Sequence, residues 1–197
     1  MPRFALLLGG ELVVTDRLRR QITGARVIAA DSGMRHASAL GCEVEAWVGD
    51  FDSATDGLIA SHPSVPRQTY PRDKDATDGE IAIDLALARG ATELLLVGAL
   101  GGQTDHIFGN LAACLRLARQ GVEVIASSGN EEVYPLIGGE RRIDIPAGTR
   151  FSIVALTDLV GLTLSGTRWP LDQRNVVLGS SLTLSNEATG PVGVRIR

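Results

Sequence analysis

The chain has 197 residues, 44% of them hydrophobic and 21% charged, a make-up that excludes disorder and lies between one large domain and two small ones. Nineteen lysines and arginines against 23 acids leave a formal net charge of −4, which excludes a general attraction to nucleic-acid backbones or anionic lipid; bound phosphate has to be handled locally, through a metal. No apolar run approaches the roughly 20 residues that span a bilayer, and the N-terminal MPRFALLLGG reads as a first strand rather than a secretory signal, so the expected location is the cytoplasm.

From Phe4 to about Ser128, short apolar runs alternate with helix-like stretches. FALLLGG, RVIAADSG, EAWVGDFDS, RQTYPRDKD, TELLLVGALGG and VEVIASSGN read as strands that end in polar or glycine turns. Between them the clearest helices are Asp78 to Arg89 and Asp105 to Gln120. The second repeats Ile107, Leu111, Cys114, Leu115 and Ala118 at spacings of three and four, one apolar face to lay on a sheet. Cys42 and Cys114 are far apart, lack any CxxC or partner histidine, and read as buried thiols. After Asn130 the pattern changes to short alternating strands (EEVYPLI, ERRIDIP, FSIVALT, GLTLSG, NVVLG, SLTLSN, VGVRI) broken by Gly, Pro, Asn and Asp. The expectation is a Rossmann-like, three-layer α/β domain with a mostly parallel sheet over residues 1–129, followed by an all-β sandwich over residues 130–197.

In open α/β sheets ligands bind beyond the carboxyl ends of the strands, so polar residues just after apolar runs are the first candidates. Several are aspartates: Asp31 after RVIAA, Asp50 and Asp52 after EAWVG, Asp73, Asp75 and Asp78 after QTY, and Asp105 after TELLLVGALGG. Each has a local explanation. Asp50 and Asp52 suit a turn, Thr77 to Glu80 fits a capping box with Asp78 in the first helical turn, Asp105 can cap the helix it opens, and Gly101 with Gly102 can make a tight turn. None of these explains why acids from four strand ends gather at one edge. Concentrated carboxylates are costly without a cation, and Mg²⁺ takes one or two of them together with substrate phosphates. Gly98, Gly101 and Gly102 allow backbone N–H groups to approach a phosphate. No G-K-[ST] follows them, so this is not a P-loop. Arg72 and Lys74 are candidate cations for phosphate oxygens, and His106 reads as a surface residue.

The ordered set ADSG (Ala30 to Gly33), VGDFDS (Val48 to Ser53), DKDATDGEIAI (Asp73 to Ile83) and GALGGQTDHIFGNL (Gly98 to Leu111) resembles the thiamine pyrophosphokinase family. So do GTRWPL (Gly166 to Leu171) and LSNE (Leu184 to Glu187) in the β region, which extends the likeness over nearly the whole chain. The resemblance implies an N-terminal α/β catalytic domain, a C-terminal β-sandwich, and a homodimer with thiamine bound where two subunits meet. It implies Asp50, Asp52 and Asp78 as the acidic core that holds Mg²⁺ and the ATP phosphates, with Asp105 a further catalytic aspartate. For ATP it implies Asp31, Gly33, Lys74, Gly101, Gly102 and Gln103. For thiamine it implies Trp169, with Ser185 and Asn186 nearby; a flat indole suits a cationic heteroaromatic ligand. Two departures stand out: Gln103 occupies the place of a frequent family arginine, and Ser32 that of a common glycine. The reaction implied is attack of thiamine's hydroxyl on ATP with AMP leaving, Asp78 or Asp105 taking the proton. A nucleotide-sugar transferase, a pterin diphosphokinase and a non-catalytic thiamine or nucleotide sensor are the rival readings.

Overall fold

The computed structural model describes residues 2–73 and 75–197; Lys74, one of the expected phosphate cations, lies outside the described residues. The chain divides into two compact units, residues 1–135 and 136–197. In the first unit β1 (Arg3–Leu7), α1 (Asp16–Ile22), β2 (Arg26–Ala30), α2 (Ala37–Leu40), β3 (Ala46–Gly49), α3 (Asp56–Ser61), β4 (Arg67–Thr69), α4 (Asp78–Ala88), β5 (Glu93–Val97), α5 (Thr104–Arg119), β6 (Glu123–Ser127) and β7 (Glu132–Val133) follow one another. A 3₁₀ turn over Asp31–His36 lies between β2 and α2.

The sheet runs β4-β3-β2-β1-β5-β6-β7, parallel except for β7, which pairs antiparallel with β6. Residues Phe4 to Leu7 and Ala29 are fully buried, as expected of inner parallel strands covered on both faces. One face packs Phe4, Leu6, Ile28 and Val48 against Ala82, Ile83, Ala86, Cys114 and Leu117 of α4 and α5; the other packs Ala5, Leu7, Ala29 and Trp47 against Leu18, Ile22 and Leu40. The buried stripe of α5 is Ala113, Cys114 and Leu117, so the helix is turned from the face its spacing suggested, and Leu115 and Ala118 are half-buried. Cys114 is buried and its thiol is pushed up to about 11 by desolvation; Cys42 is only half-buried, against expectation.

After β1 the chain builds outward through β2, β3 and β4, then returns to set β5 on the other side of β1. The reversal opens a crevice between the ends of β1 and β5, where such sheets bind ligands. The EEVYPLI segment contributes β7 to this sheet rather than to the β region, because Val133 and Glu132 find ladder partners in Ala126 and Ser127.

The second unit is antiparallel and all-β: β8 (Gly139–Ile143), β9 (Arg150–Phe151), β10 (Leu159–Thr167), β11 (Leu171–Val176) and β12 (Asn186–Ile196). The order is β11-β10-β12-β8, and β9 pairs with the start of β12. Its core is Ile153, Ala155, Leu162, Leu164, Val176, Ala188, Val192 and Val194. Two expected strands are shorter or displaced: FSIVALT is in the ladder only at Phe151, and residues 181–185 of SLTLSN form a loop before β12.

Candidate active site

Three carboxylates converge at the ends of β2 and β3. One ligand oxygen each from Asp31, Asp50 and Asp52 lies within 4.8 Å of the others. Asp78, first residue of α4, flanks the same spot: a Cβ placed on Gly49 would be 3.2 Å from Asp31 Cβ and 3.3 Å from Asp78 Cγ. Two backbone conformations that L-residues seldom adopt produce this crowding, Asp31 at φ 41° and Phe51, between the two other acids, at φ 63°. Trp47 stabilises both. Its buried indole N–H donates to the Asp31 carbonyl at 2.8 Å, and its ring meets Phe51 edge-on at 5.1 Å.

The turn chemistry expected of Asp50 is present as well, since its Oδ1 accepts the Asp52 N–H at 3.1 Å. The turn reading and the ligand reading are therefore compatible: the turn is what aims Asp52. The capping box is complete, Thr77 Oγ1 accepting from Glu80 N at 3.2 Å and Glu80 Oε2 from Thr77 N at 3.3 Å. It fixes the first turn of α4 and with it Asp78.

Asp31 is 8% exposed, and its Oδ1 has no hydrogen-bond partner among the described residues. Burial pushes its carboxyl above the usual range, and the charges of Asp78 and Asp52 push the same way, against hydrogen bonds from the Ser32 backbone and the Ser53 side chain. Arg72 reaches the group from an exposed position, its Nη2 donating to Asp52 Oδ2 at 2.7 Å.

The glycine-rich residues gather at the crevice beside β1. Gly10 N donates to the Gly98 carbonyl at 3.1 Å, and a Cβ at Gly10 would overlap that oxygen. A Cβ at Gly33 would overlap the Leu7 carbonyl, so the 3₁₀ turn can lie against β1 only with glycine there. A Cβ at Gly101 would come within 3.0 Å of Glu11, and Gly102 has φ 92°. Gln103 is the N-cap of α5 but makes no side-chain cap bond. Asp105 is not the cap; it sits in the first turn, and its Oδ1 accepts the His106 N–H at 2.9 Å. Arg35 Nη2 donates to the Gly10 carbonyl at 3.1 Å, and His36 Nε2 lies 2.9 Å from the same oxygen. Neither residue, nor Trp47, was singled out by sequence; the signal for all three is position immediately around the ADSG and VGD strand ends.

In the second unit the expected ligand residues form one local group. Trp169 is 53% exposed, with the Arg168 guanidinium over its ring at 4.9 Å. Asn186 is 5% exposed and spends its amide on backbone: Oδ1 accepts from Trp169 N at 3.2 Å and Glu187 N at 2.8 Å, and Nδ2 donates to the Trp169 carbonyl at 2.9 Å. Ser185 has φ 57°, and its N–H donates to Ser152 Oγ at 3.0 Å.

Comparison with known proteins agrees on both units. Residues 21–126 match the catalytic-domain model of thiamin pyrophosphokinase, and residues 140–197 match the vitamin B1 binding domain model. Thiamine pyrophosphokinase of Bacillus subtilis (strain 168) is 30% identical over 150 residues, 73% of this chain and 69% of that protein. The crystal structure of the Bacillus subtilis thiamine pyrophosphokinase superposes with a TM-score of 0.83 at 23% identity, covering 98% of this chain and 94% of that one. The Geobacillus thermodenitrificans thiamin pyrophosphokinase gives 0.81 at 24% identity over 100% and 93%, and the Candida albicans protein 0.80 at 13% over 98% and 86%. These superpositions establish the fold.

Proposed function

This chain belongs to the thiamine pyrophosphokinase family, and on that premise we propose which of its residues carry the transfer of pyrophosphate from ATP to thiamine. The products are thiamine diphosphate and AMP. The thiamine hydroxyl oxygen forms a bond to the β-phosphorus of ATP, and the bond from that phosphorus to the bridging oxygen of AMP breaks. No covalent enzyme intermediate is needed, so the protein's task is alignment and charge stabilisation.

The convergence of Asp31, Asp50 and Asp52 within 4.8 Å carries the assignment of the phosphate-handling site. The donor set fits Mg²⁺: it offers only oxygens, and one of them, Asp31 Oδ1, is buried without a partner. Asp31, Asp50, Asp52 and Asp78 would hold the ion, and bound Mg²⁺ supplies neutralisation of the polyphosphate charge. The crevice residues Gly33, Gly101, Gly102 and Gln103 orient ATP; backbone N–H groups do there what the absent family arginine would do as a cation. Asp78 or Asp105 accepts the proton released by the hydroxyl. Trp169 offers thiamine a flat electron-rich surface, with Ser185 beside it.

We propose a cytoplasmic homodimer. No helix among the described residues is long and apolar enough to cross a membrane. The second unit exposes Val154, Leu156, Val177, Leu178, Leu182 and Leu184 on segments that hydrogen bonds join, Ile153 N to the Thr183 carbonyl at 3.0 Å and Leu178 N to Asp158 Oδ1 at 2.7 Å. A joined apolar surface of that kind marks an interface. Sedimentation of the intact chain tests it: a dimer is expected, and a monomer at all concentrations refutes it.

The activity is tested by incubation with ATP, Mg²⁺ and thiamine. One AMP for each thiamine consumed is expected; ADP would indicate an ordinary kinase, and no nucleotide turnover a sensor. Replacing thiamine with a pterin alcohol should abolish AMP release.

A further inference from the structure

We infer that Asn186 is a positioning residue that acts on thiamine through Trp169, resting on the reading of Trp169 as the thiamine platform. Asn186 belongs to the motif that suggests a ligand contact, yet its side chain is 5% exposed and points at the chain. Its Oδ1 receives both Trp169 N–H and Glu187 N–H, which fills the two acceptor sites of a carbonyl oxygen, and Nδ2 returns a bond to the Trp169 carbonyl. Only one amide hydrogen is left for anything else. Both backbone polar groups of Trp169 are thus bound by one side chain.

Trp169 needs such a clamp because it stands where ladder pairing is interrupted. The register of β10 against β12 shifts between Ser165 and Thr167, after which Thr167 still faces Ala188. Beyond it Arg168 N donates to the Glu187 carbonyl at 2.8 Å, and Pro170, which has no N–H, follows. Without Asn186 the Trp169 N–H and C=O would have no partner in the ladder, and an exposed indole would lose its fixed direction. Glu187 adds a second restraint, since it lies 3.4 Å from Arg168, whose guanidinium covers one face of the ring. An arriving flat cation is left the opposite face.

The test is a double-mutant cycle on the full-length enzyme with steady-state kinetics in both substrates. Asn186→Ala should raise the thiamine KM by about tenfold, the scale of the lost hydrogen bonds, with kcat and the ATP KM nearly unchanged. Trp169→Ala should raise it comparably. The double variant should be no worse than Trp169→Ala alone, because Asn186 has nothing left to hold. If the two single effects multiply in the double variant, Asn186 touches the ligand directly and the inference fails.

A second readout does not depend on turnover. Trp47 is fully buried, so acrylamide quenches the fluorescence of Trp169 alone. Asn186→Ala should increase that quenching and lower the anisotropy. Asn186→Asp, which keeps both accepted bonds but sets an oxygen against the Trp169 carbonyl, should fall between it and the wild type. Quenching identical in all three proteins overturns the inference even if KM changes. An unchanged thiamine KM in Trp169→Ala refutes the platform reading instead, and the quenching series then decides separately whether Asn186 holds the indole.

Discussion

The acid cluster and the Trp169 loop place functional side chains by opposite means. In the first unit an aromatic holds the acids: the buried Trp47 ring and N–H maintain Asp31 and Phe51 in strained conformations at the ends of two rigid strands. In the second an amide holds the aromatic: Asn186 replaces interrupted ladder bonds so that Trp169 stands out of the sheet. Strand ends tolerate strain because the sheet behind them is fixed, whereas a loop needs its polar backbone groups satisfied one by one.

If that contrast is right, variants of the two regions should divide between turnover and thiamine recognition. The largest effect is expected for Asp52→Asn and Asp78→Asn, which should lower Mg²⁺-dependent kcat by at least about 10²-fold with the fold retained. Near-normal AMP release in both variants would remove the acids from the site. Gly33→Ala comes next: its Cβ overlaps the Leu7 carbonyl, so chemical denaturation should show a loss of about 3 kcal/mol in the first unit.

Trp47→Phe keeps an aromatic ring but leaves the Asp31 carbonyl without its buried donor, and should cost about 1–3 kcal/mol together with part of the Mg²⁺ affinity. The pH dependence has a definite sign. Asp31 is raised in the folded state, so the native protein binds the proton more tightly than the unfolded chain does, and this residue's contribution to stability falls as pH rises from its unfolded pKa through its raised folded one. Asp31→Asn should therefore raise the melting temperature of the metal-free protein near neutral pH, by about 2–4 °C if the gain is about 1 kcal/mol, and should abolish the stabilisation that Mg²⁺ gives the wild type. The smallest effect belongs to Arg72→Gln. The pair it makes with Asp52 is exposed, and calorimetry should register no more than about 1 kcal/mol.

The legible part of the site was the part carried by local chemistry. Apolar runs ending in Asp31, Asp50 and Asp52 reported strands and their carboxyl ends, and Thr77 with Glu80 reported the start of α4. What sequence could not give was contact between distant segments. Arg72 and Asp52 are 20 residues apart, and no periodicity joins them. Trp47 read as ordinary core, which it also is, because the direction of an indole N–H depends on a turn that starts 16 residues earlier. In the β region, alternation around Thr183 suggested a strand, but Leu182 and Leu184 are exposed and the ladder begins only at Asn186. Strand pairing is settled by partners remote in sequence, so alternation alone cannot say which segment joins the ladder.

Strand β1 is central, and its two hydrogen-bonding neighbours differ greatly in sequence distance: β2 begins at Arg26, β5 only at Glu93. During synthesis one side of this strand, apolar from Phe4 onward, is satisfied early, while the other waits until some ninety further residues have emerged. Until then FALLL presents an open, sticky edge, the condition under which nascent chains associate with one another. Folding yield should consequently be set by how soon β5 docks, and chaperone dependence should centre on the first half of the molecule.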